Sequence, residues 1–278
     1  MNINITILII VANVIVSLVG FRNTKFMDRY LFRVGSILKL KQYDRLLTSG
    51  FLHVNFLHLF FNMFTLFFFG SFLEQGSPLP GYMYLLIYFA SLLLGNLLAL
   101  VLNKNNDGYS AVGASGAVSG VLFATIALSP STKLYLFFAL GVPAWIYGIG
   151  YMLYTIYGIR NKAGNIGHEA HLGGALAGIL IMVAYQPALL KLHPWVILGM
   201  TVPALVFLFI AIRYPHWLLF GFLKPRSERN YTLDDRYNDR KVAEQEEIDR
   251  ILDKIGKTGM QSLTDKEIRK LEEYRSRL

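Results

Sequence analysis

The sequence predicts an all-α fold: a polytopic helical bundle within a membrane, followed by a small soluble helical tail. Three observations carry this. Of 278 residues, 54% are hydrophobic and only 16% charged, far from the balance of a soluble domain. The apolar residues gather in runs at 4–20, 56–73, 82–102, 111–129, 134–157, 167–186 and 195–212, each close to the roughly 17 to 25 residues a helix needs to cross about 30 Å of hydrocarbon. After residue 212 the composition turns soluble. The expected domains are a membrane domain of seven spans at 1–212, a linker at 213–240 and a helical hairpin at 241–278.

The first run lacks the basic leader and the small-x-small cleavage site of a secretory signal, so it reads as a retained span. The loop after it, L1 (22–50), holds seven of the 12 Lys and Arg residues of 1–212. Within it, "FMDRYLFRVGSILKL" carries Phe26, Tyr30, Leu31, Val34, Ile37 and Leu38 at helical spacing among bases, the pattern of a segment lying in the membrane interface. By parity, L1, L3 (103–110), L5 (158–166) and the tail after Arg213 share one face of the membrane. The net charge of +9 is unevenly placed, and bases flanking spans meet lipid phosphates, so membrane lipids rather than nucleic acid are the expected partners. No cysteine is present, which removes disulfides, thiol catalysis and thiolate metal sites. In the tail, Thr264 with Glu267 forms a capping box, Leu263 with Ile268 fits a hydrophobic staple, and Ile248, Ile251, Leu252 and Ile255 recur at helical intervals.

Polar side chains inside spans are costly, and here they cluster. His53, His58 and Asn62 lie on span 2, Asn96 on span 3, Ser115 and Ser119 on span 4, and His168, Glu169 and His171 on span 6. Spans 2, 4 and 6 all start on the L1/L3/L5 face, so Ser115 and His171 fall at similar depth, about 5 to 10 Å below it. His58, Asn62 and Thr65 share a face of span 2, whereas His53 belongs near its mouth. On span 6 a stripe of Gly167, His171, Gly174 and Gly178 matches Gly113, Gly116, Gly120 and Ala124 on span 4, with Ser115 beside it. Small stripes of this kind let two backbones approach closely.

A serine hydroxyl becomes a nucleophile when a neighbouring base takes its proton, and histidine titrates near neutrality. Ser115 starts its helix, where free backbone N–H groups stabilise an oxyanion, with Asn62 and His58 as further donors. No carboxylate is placed to complete a triad: Glu169 is two residues from His171, about 200° around the helix. The residues therefore support a Ser/His dyad. "HEAH" (168–171) is one residue short of the zinc motif H-E-x-x-H, so no metal site is expected, and no cofactor either. An aspartyl mechanism lacks its paired carboxylates. The elbow G-x-S-x-G fails at Ala117. His168, one turn above His171, reads as a mouth or packing residue, His193 and His216 as interfacial, and Asn96 as an interhelical hydrogen bonder.

The motifs "HVNFLHLFFN", "GASG" and "AHLGGALAG", in this order on these spans and preceded by Arg45, resemble those of the rhomboid family of intramembrane serine proteases, over about 40–190. The resemblance implies a core of six spans plus a seventh, with Ser115 as nucleophile, His171 as general base, and His58, Asn62 and the Ser115 amide as the oxyanion site. It makes His53 a structural histidine and Gly113 the glycine before the nucleophile, with Gly116 supporting close helix packing. Two departures stand out. The family often has an aromatic residue four positions after the nucleophile, packed on the histidine, where this chain has Ser119; Phe61 or Tyr151 are the aromatics able to substitute. L1 often has Trp-Arg, and here it has Asp44 with Arg45.

The expected function is an intramembrane serine endopeptidase that cuts single-span membrane proteins, in the cytoplasmic (inner) membrane of a bacterium. The rival is a catalytically silent rhomboid-like protein that binds transmembrane clients. A transporter would show related halves, and no repeat is evident. Ten of the 12 bases in 1–212 lie in L1, L3 and L5, so the positive-inside rule puts that face in the cytoplasm. The family resemblance implies the outside.

Overall fold

The structure is a computed structural model that describes residues 4–77, 79–136, 140–161, 166–214, 248, 250–251, 254–255 and 260–276. The chain divides into two compact units, 1–223 and 224–278.

A helix stands in each of the seven apolar runs: α1 (Ile5–Arg22), α5 (Phe56–Gln75), α6 (Gly81–Leu102), α7 (Ser115–Leu128), α8 (Ala144–Asn161), α9 (His168–Tyr185) and α11 (Pro194–Arg213). Short helices fill the connections, namely α2 (Thr24–Tyr30), α3 (Val34–Lys39), α4 (Arg45–Thr48) and α10 (Leu189–Leu192). Helices α1, α5, α6 and α11 are long and apolar enough to cross a membrane. Their outer faces expose large apolar side chains, among them Leu8, Ile15, Phe60, Phe68, Leu94 and Phe209. Such a surface is stable against lipid and not against water. The fold is a polytopic helical bundle.

Helices α6, α7 and α9 form its centre. Gly116 of α7 faces the Ala170 carbonyl of α9, a Cβ at Gly174 would overlap the Gly116 carbonyl oxygen, and one at Gly178 would overlap that of Gly120. Contacts that climb both helices together mean that α7 and α9 run parallel with their backbones touching. Helix α6 runs the other way, with Ser91 against Gly120 and Gly95 against Ala170. Almost every residue of α7 is buried.

Three stretches depart from the sequence-based expectation. Span 5 does not start at 134: β3 (Lys133–Leu136) and β4 (Leu140–Pro143) pair as an antiparallel hairpin, and α8 begins only after Pro143. A continuous apolar run does not distinguish strand from buried helix, and the proline sets the boundary. Span 4 begins at Ser115, because Ser110–Ala111 (β2) pairs with Phe32–Arg33 (β1) in L1. That pairing also breaks the helix expected across 26–38 into α2 and α3. L1 is then closed by Arg45, which is buried and donates through Nη1 to the carbonyls of Asp28 (2.9 Å) and Leu31 (2.6 Å) and through Nε to Gln42 Oε1 (2.7 Å).

In the second unit α12 (Asp265–Ser276) is capped as its sequence predicts: the Thr264 amide donates to Glu267 Oε2 at 2.7 Å and the Glu267 amide to Thr264 Oγ1 at 3.4 Å. Leu252 and residues 215–247, which take in His216, most of the linker expected at 213–240 and the start of the hairpin expected at 241–278, lie outside the described residues.

Candidate active site

The turn before α7 is the pivot of the site. Gly113 has φ +134, a conformation that L side chains rarely adopt. Its amide donates to the Ser49 carbonyl at 3.0 Å, and the next amide, of Ala114, donates to His53 Nε2 at 3.4 Å. Nε2 of His53 is therefore the unprotonated nitrogen. Its Nδ1 carries the proton and donates to Ser17 Oγ (2.8 Å), which donates onward to the Phe51 carbonyl (3.0 Å). His53 and Ser17 are both buried. Through these bonds His53 ties α1 and the segment before α5 to the turn that carries Ser115.

Ser115 opens α7, half-buried, and Ala114 at the N-cap supplies no side-chain cap. The first N–H groups of the helix, including that of Ser115, have no carbonyl one turn back. They carry the positive end of the helix dipole. His58 lies on the other side of Gly113. A single point, the position a Cβ at Gly113 would take, is 3.0 Å from His58 Nε2 and 3.6 Å from Ser115 Oγ. The imidazole and the hydroxyl flank one small volume. Asn62 is buried a turn further along α5 and uses Nδ2 to donate to the His58 carbonyl at 3.0 Å.

His171 sits in the first turn of α9. It shares the helix face of Gly174 and Gly178, the face laid against α7, and Ser115 adjoins Gly116 on the other side of that contact. The Tyr151 hydroxyl of α8 lies 3.0 Å from His171 Nδ1 and 2.9 Å from Ser119 Oγ. The Tyr151 and His171 rings are nearly parallel, 25° apart at 6.1 Å between centroids. Of the two aromatics able to pack on His171, Phe61 is 56% exposed and its ring lies against Phe60, 5.5 Å between centroids. Tyr151 occupies the place.

Glu169 faces L3: its carboxylate accepts from Tyr109 Oη (3.0 Å) and Asn103 Nδ2 (3.2 Å). Burial, with the Glu169 charge beside it, pushes the Tyr109 phenol well above its ordinary range, so it remains a donor. Glu169 thereby fastens the start of α9 to the loop before α7. His168 is buried, packing on Gly158 and edge-on to Tyr154 at 5.3 Å. It lines a cavity of about 130 Å³ with Asn103, Asn106, Tyr109, Ile166 and Glu169. Asn96 bonds L1 rather than another span, donating to the Leu46 carbonyl (2.7 Å) and Ser49 Oγ (3.2 Å). Ser17 is the contributor that sequence reasoning missed. It stands on a span outside every motif, and its hydroxyl is unremarkable until α1 packs against the segment holding His53.

Comparison with known proteins bears on this geometry. The family model for the rhomboid domain matches residues 40–188, and a family of unknown function, DUF6576, matches 231–277. RHOMBOID-like protein 12, mitochondrial, of Arabidopsis thaliana is 29% identical over 170 residues, 56% of this chain and 50% of that protein. Rhomboid protein 1, mitochondrial, of Saccharomyces cerevisiae is 32% identical over 160 residues, 56% and 45% respectively. Rhomboid protease GluP of Bacillus subtilis is 28% identical over 167 residues, 59% and 30%. The aligned region spans half or less of the length of each relative. The 40–188 match covers more than half of the chain and contains Arg45, His53, His58, Asn62, Gly113, Ser115 and His171 in their expected order, and the chain therefore belongs to the rhomboid family.

Proposed function

We infer that the protein is an intramembrane serine endopeptidase cleaving single-span membrane proteins with Ser115 as nucleophile and His171 as general base. One observation carries this reading: α7 and α9 touch backbone to backbone at Gly116, Ala170 and Gly174, with Ser115 and His171 each one residue from that contact or on its face. The membership supports it, and so does the likeness to a relative named as a protease.

In the proposed cycle His171 Nε2 takes the Ser115 proton as Oγ adds to the scissile carbonyl. The negative oxygen settles among the Ser115 amide, His58 and Asn62. The imidazolium then gives its proton to the departing amine, leaving an acyl-serine that water hydrolyses by the same steps in reverse. A substrate helix must unwind to present its carbonyl, so residues with poor helix propensity near the cut favour cleavage. The membrane is a bacterial cytoplasmic membrane in this reading, with the active face outside.

Purified protein in liposomes with a single-span substrate tests it. Wild type is expected to cleave and to be labelled by a fluorophosphonate at Ser115, and Ser115→Ala to lose both. A wild type that binds the substrate without cleavage or labelling would identify the rival, a silent client-binding rhomboid.

A further inference from the structure

A base that works through Nε2 has to keep its other ring proton on Nδ1, and among the described residues no carboxylate lies there to hold it. What lies against Nδ1 is the Tyr151 hydroxyl, at 3.0 Å, and behind that hydroxyl is Ser119 Oγ, at 2.9 Å. We propose that Tyr151 and Ser119 are positioning residues: a relay of two hydroxyls that fixes the His171 tautomer and carries the hydrogen-bond load when the ring is protonated.

The proton count forces the direction of the relay. Once His171 has taken the Ser115 proton, both ring nitrogens are donors, so Tyr151 Oη must accept from Nδ1–H. Its own proton then needs another acceptor in a buried setting, and Ser119 Oγ is in place. Without Ser119 the phenol would keep one acceptor only, Nδ1 itself. Donating there would leave the proton of a neutral ring on Nε2, with no lone pair toward Ser115. Ser119 therefore decides which way Tyr151 points, and Tyr151 decides which nitrogen is basic. Chained hydrogen bonds also polarise one another, which strengthens the arrangement in a dry interior.

The packing suits a fixed relay. Phe123 (5.5 Å) and Tyr147 (6.0 Å) flank the Tyr151 ring. Ser119 stands one turn below Ser115 on the same face of α7, so a single helix carries both the nucleophile and the end of the relay. A serine four residues after the nucleophile is then a functional partner of Tyr151, and the departure from the family pattern at Ser119 is coupled to the tyrosine of α8.

The inference rests on the Ser115/His171 reading, and its test has a readout independent of activity. Nitrogen-15 spectra of His171 in the resting enzyme should show the proton on Nδ1 in wild type and a shift toward Nε2–H in Ser119→Ala. Kinetically, Tyr151→Phe keeps the stacked ring and should lower kcat at least about tenfold with KM within about twofold, because an orienting contact is lost and not a binding one. Ser119→Ala should lower kcat less, and the double variant should be no slower than Tyr151→Phe alone. An Nε2-protonated ring in wild type would overturn the relay. So would unaltered kcat in Tyr151→Phe, or losses that multiply in the double variant. A wild type with neither cleavage nor labelling would instead refute the protease reading, and the tautomer measurement would still decide the relay.

Discussion

His53 shows how one side chain can be read completely from its neighbours. An amide can only donate, so the Ala114 contact fixes the tautomer, and the tautomer fixes what Ser17 must do. Ser17→Ala would leave the buried His53 Nδ1–H without its acceptor, a cost of about 1–3 kcal/mol. We expect a lower midpoint in thermal unfolding in detergent, and a several-fold loss of cleavage, since the released turn carries Ser115. Equal loss of stability with unchanged cleavage would mean that α1 supports the fold and not the site. At this scale the motif residues were legible because a polar group inside a span needs a reason to be there. Ser17 was not, since a hydroxyl within a helix can satisfy itself on its own backbone, and only the approach of the segment holding Phe51 and His53 gives it different partners.

At the scale of elements the decisive feature is the seam between α7 and α9. The sequence shows two matching stripes of small residues, and the structure adds a ranking within them. A Cβ at Gly116 would meet the Ala170 carbonyl oxygen at 3.3 Å, a contact that yields to a shift of a few tenths of an ångström. At Gly174 it would overlap backbone of Gly116, which cannot rotate aside. Gly174→Ala should therefore destabilise the bundle by about 1–3 kcal/mol or more, the usual range for overpacking, and clearly more than Gly116→Ala, as measured by thermal unfolding of the two variants side by side. The seam also explains the length of α7. Fourteen residues rise about 21 Å, less than the roughly 30 Å of hydrocarbon, so a helix ending level with its neighbours starts below the opposite surface. Ser115 is its first residue. The hairpin β3–β4 and the division of L1 into α2 and α3 were not legible, because both rest on pairings of residues whose apolar spacing fits helix equally well.

For the molecule as a whole, seven crossings would put the starts of α5, α7 and α9 and the end of α11 on one face. The absence of cysteine makes this directly testable with single introduced thiols. Asn106→Cys in L3 and Ser227→Cys in the tail are expected to react with an impermeant maleimide from the same side of oriented vesicles, and Ser131→Cys, before the β3–β4 hairpin, from the other. Labelling of Asn106→Cys and Ser227→Cys from opposite sides would mean that one of the seven helices does not cross. The same vesicles report whether the shared face is outside, as proposed, or inside, as the count of bases predicts.

The sequence by itself determined that this chain is a helical membrane protein, that polar groups enter its interior at one depth, and which residues those are. These follow from composition and the 3.6-residue period, which act along the chain. Only the tertiary structure decided that Tyr151 and not Phe61 meets His171, that Ser17 holds His53, and that Glu169 serves a loop. Each of those depends on which faces of separate helices come together, and close packing of backbones settles that question where hydropathy cannot.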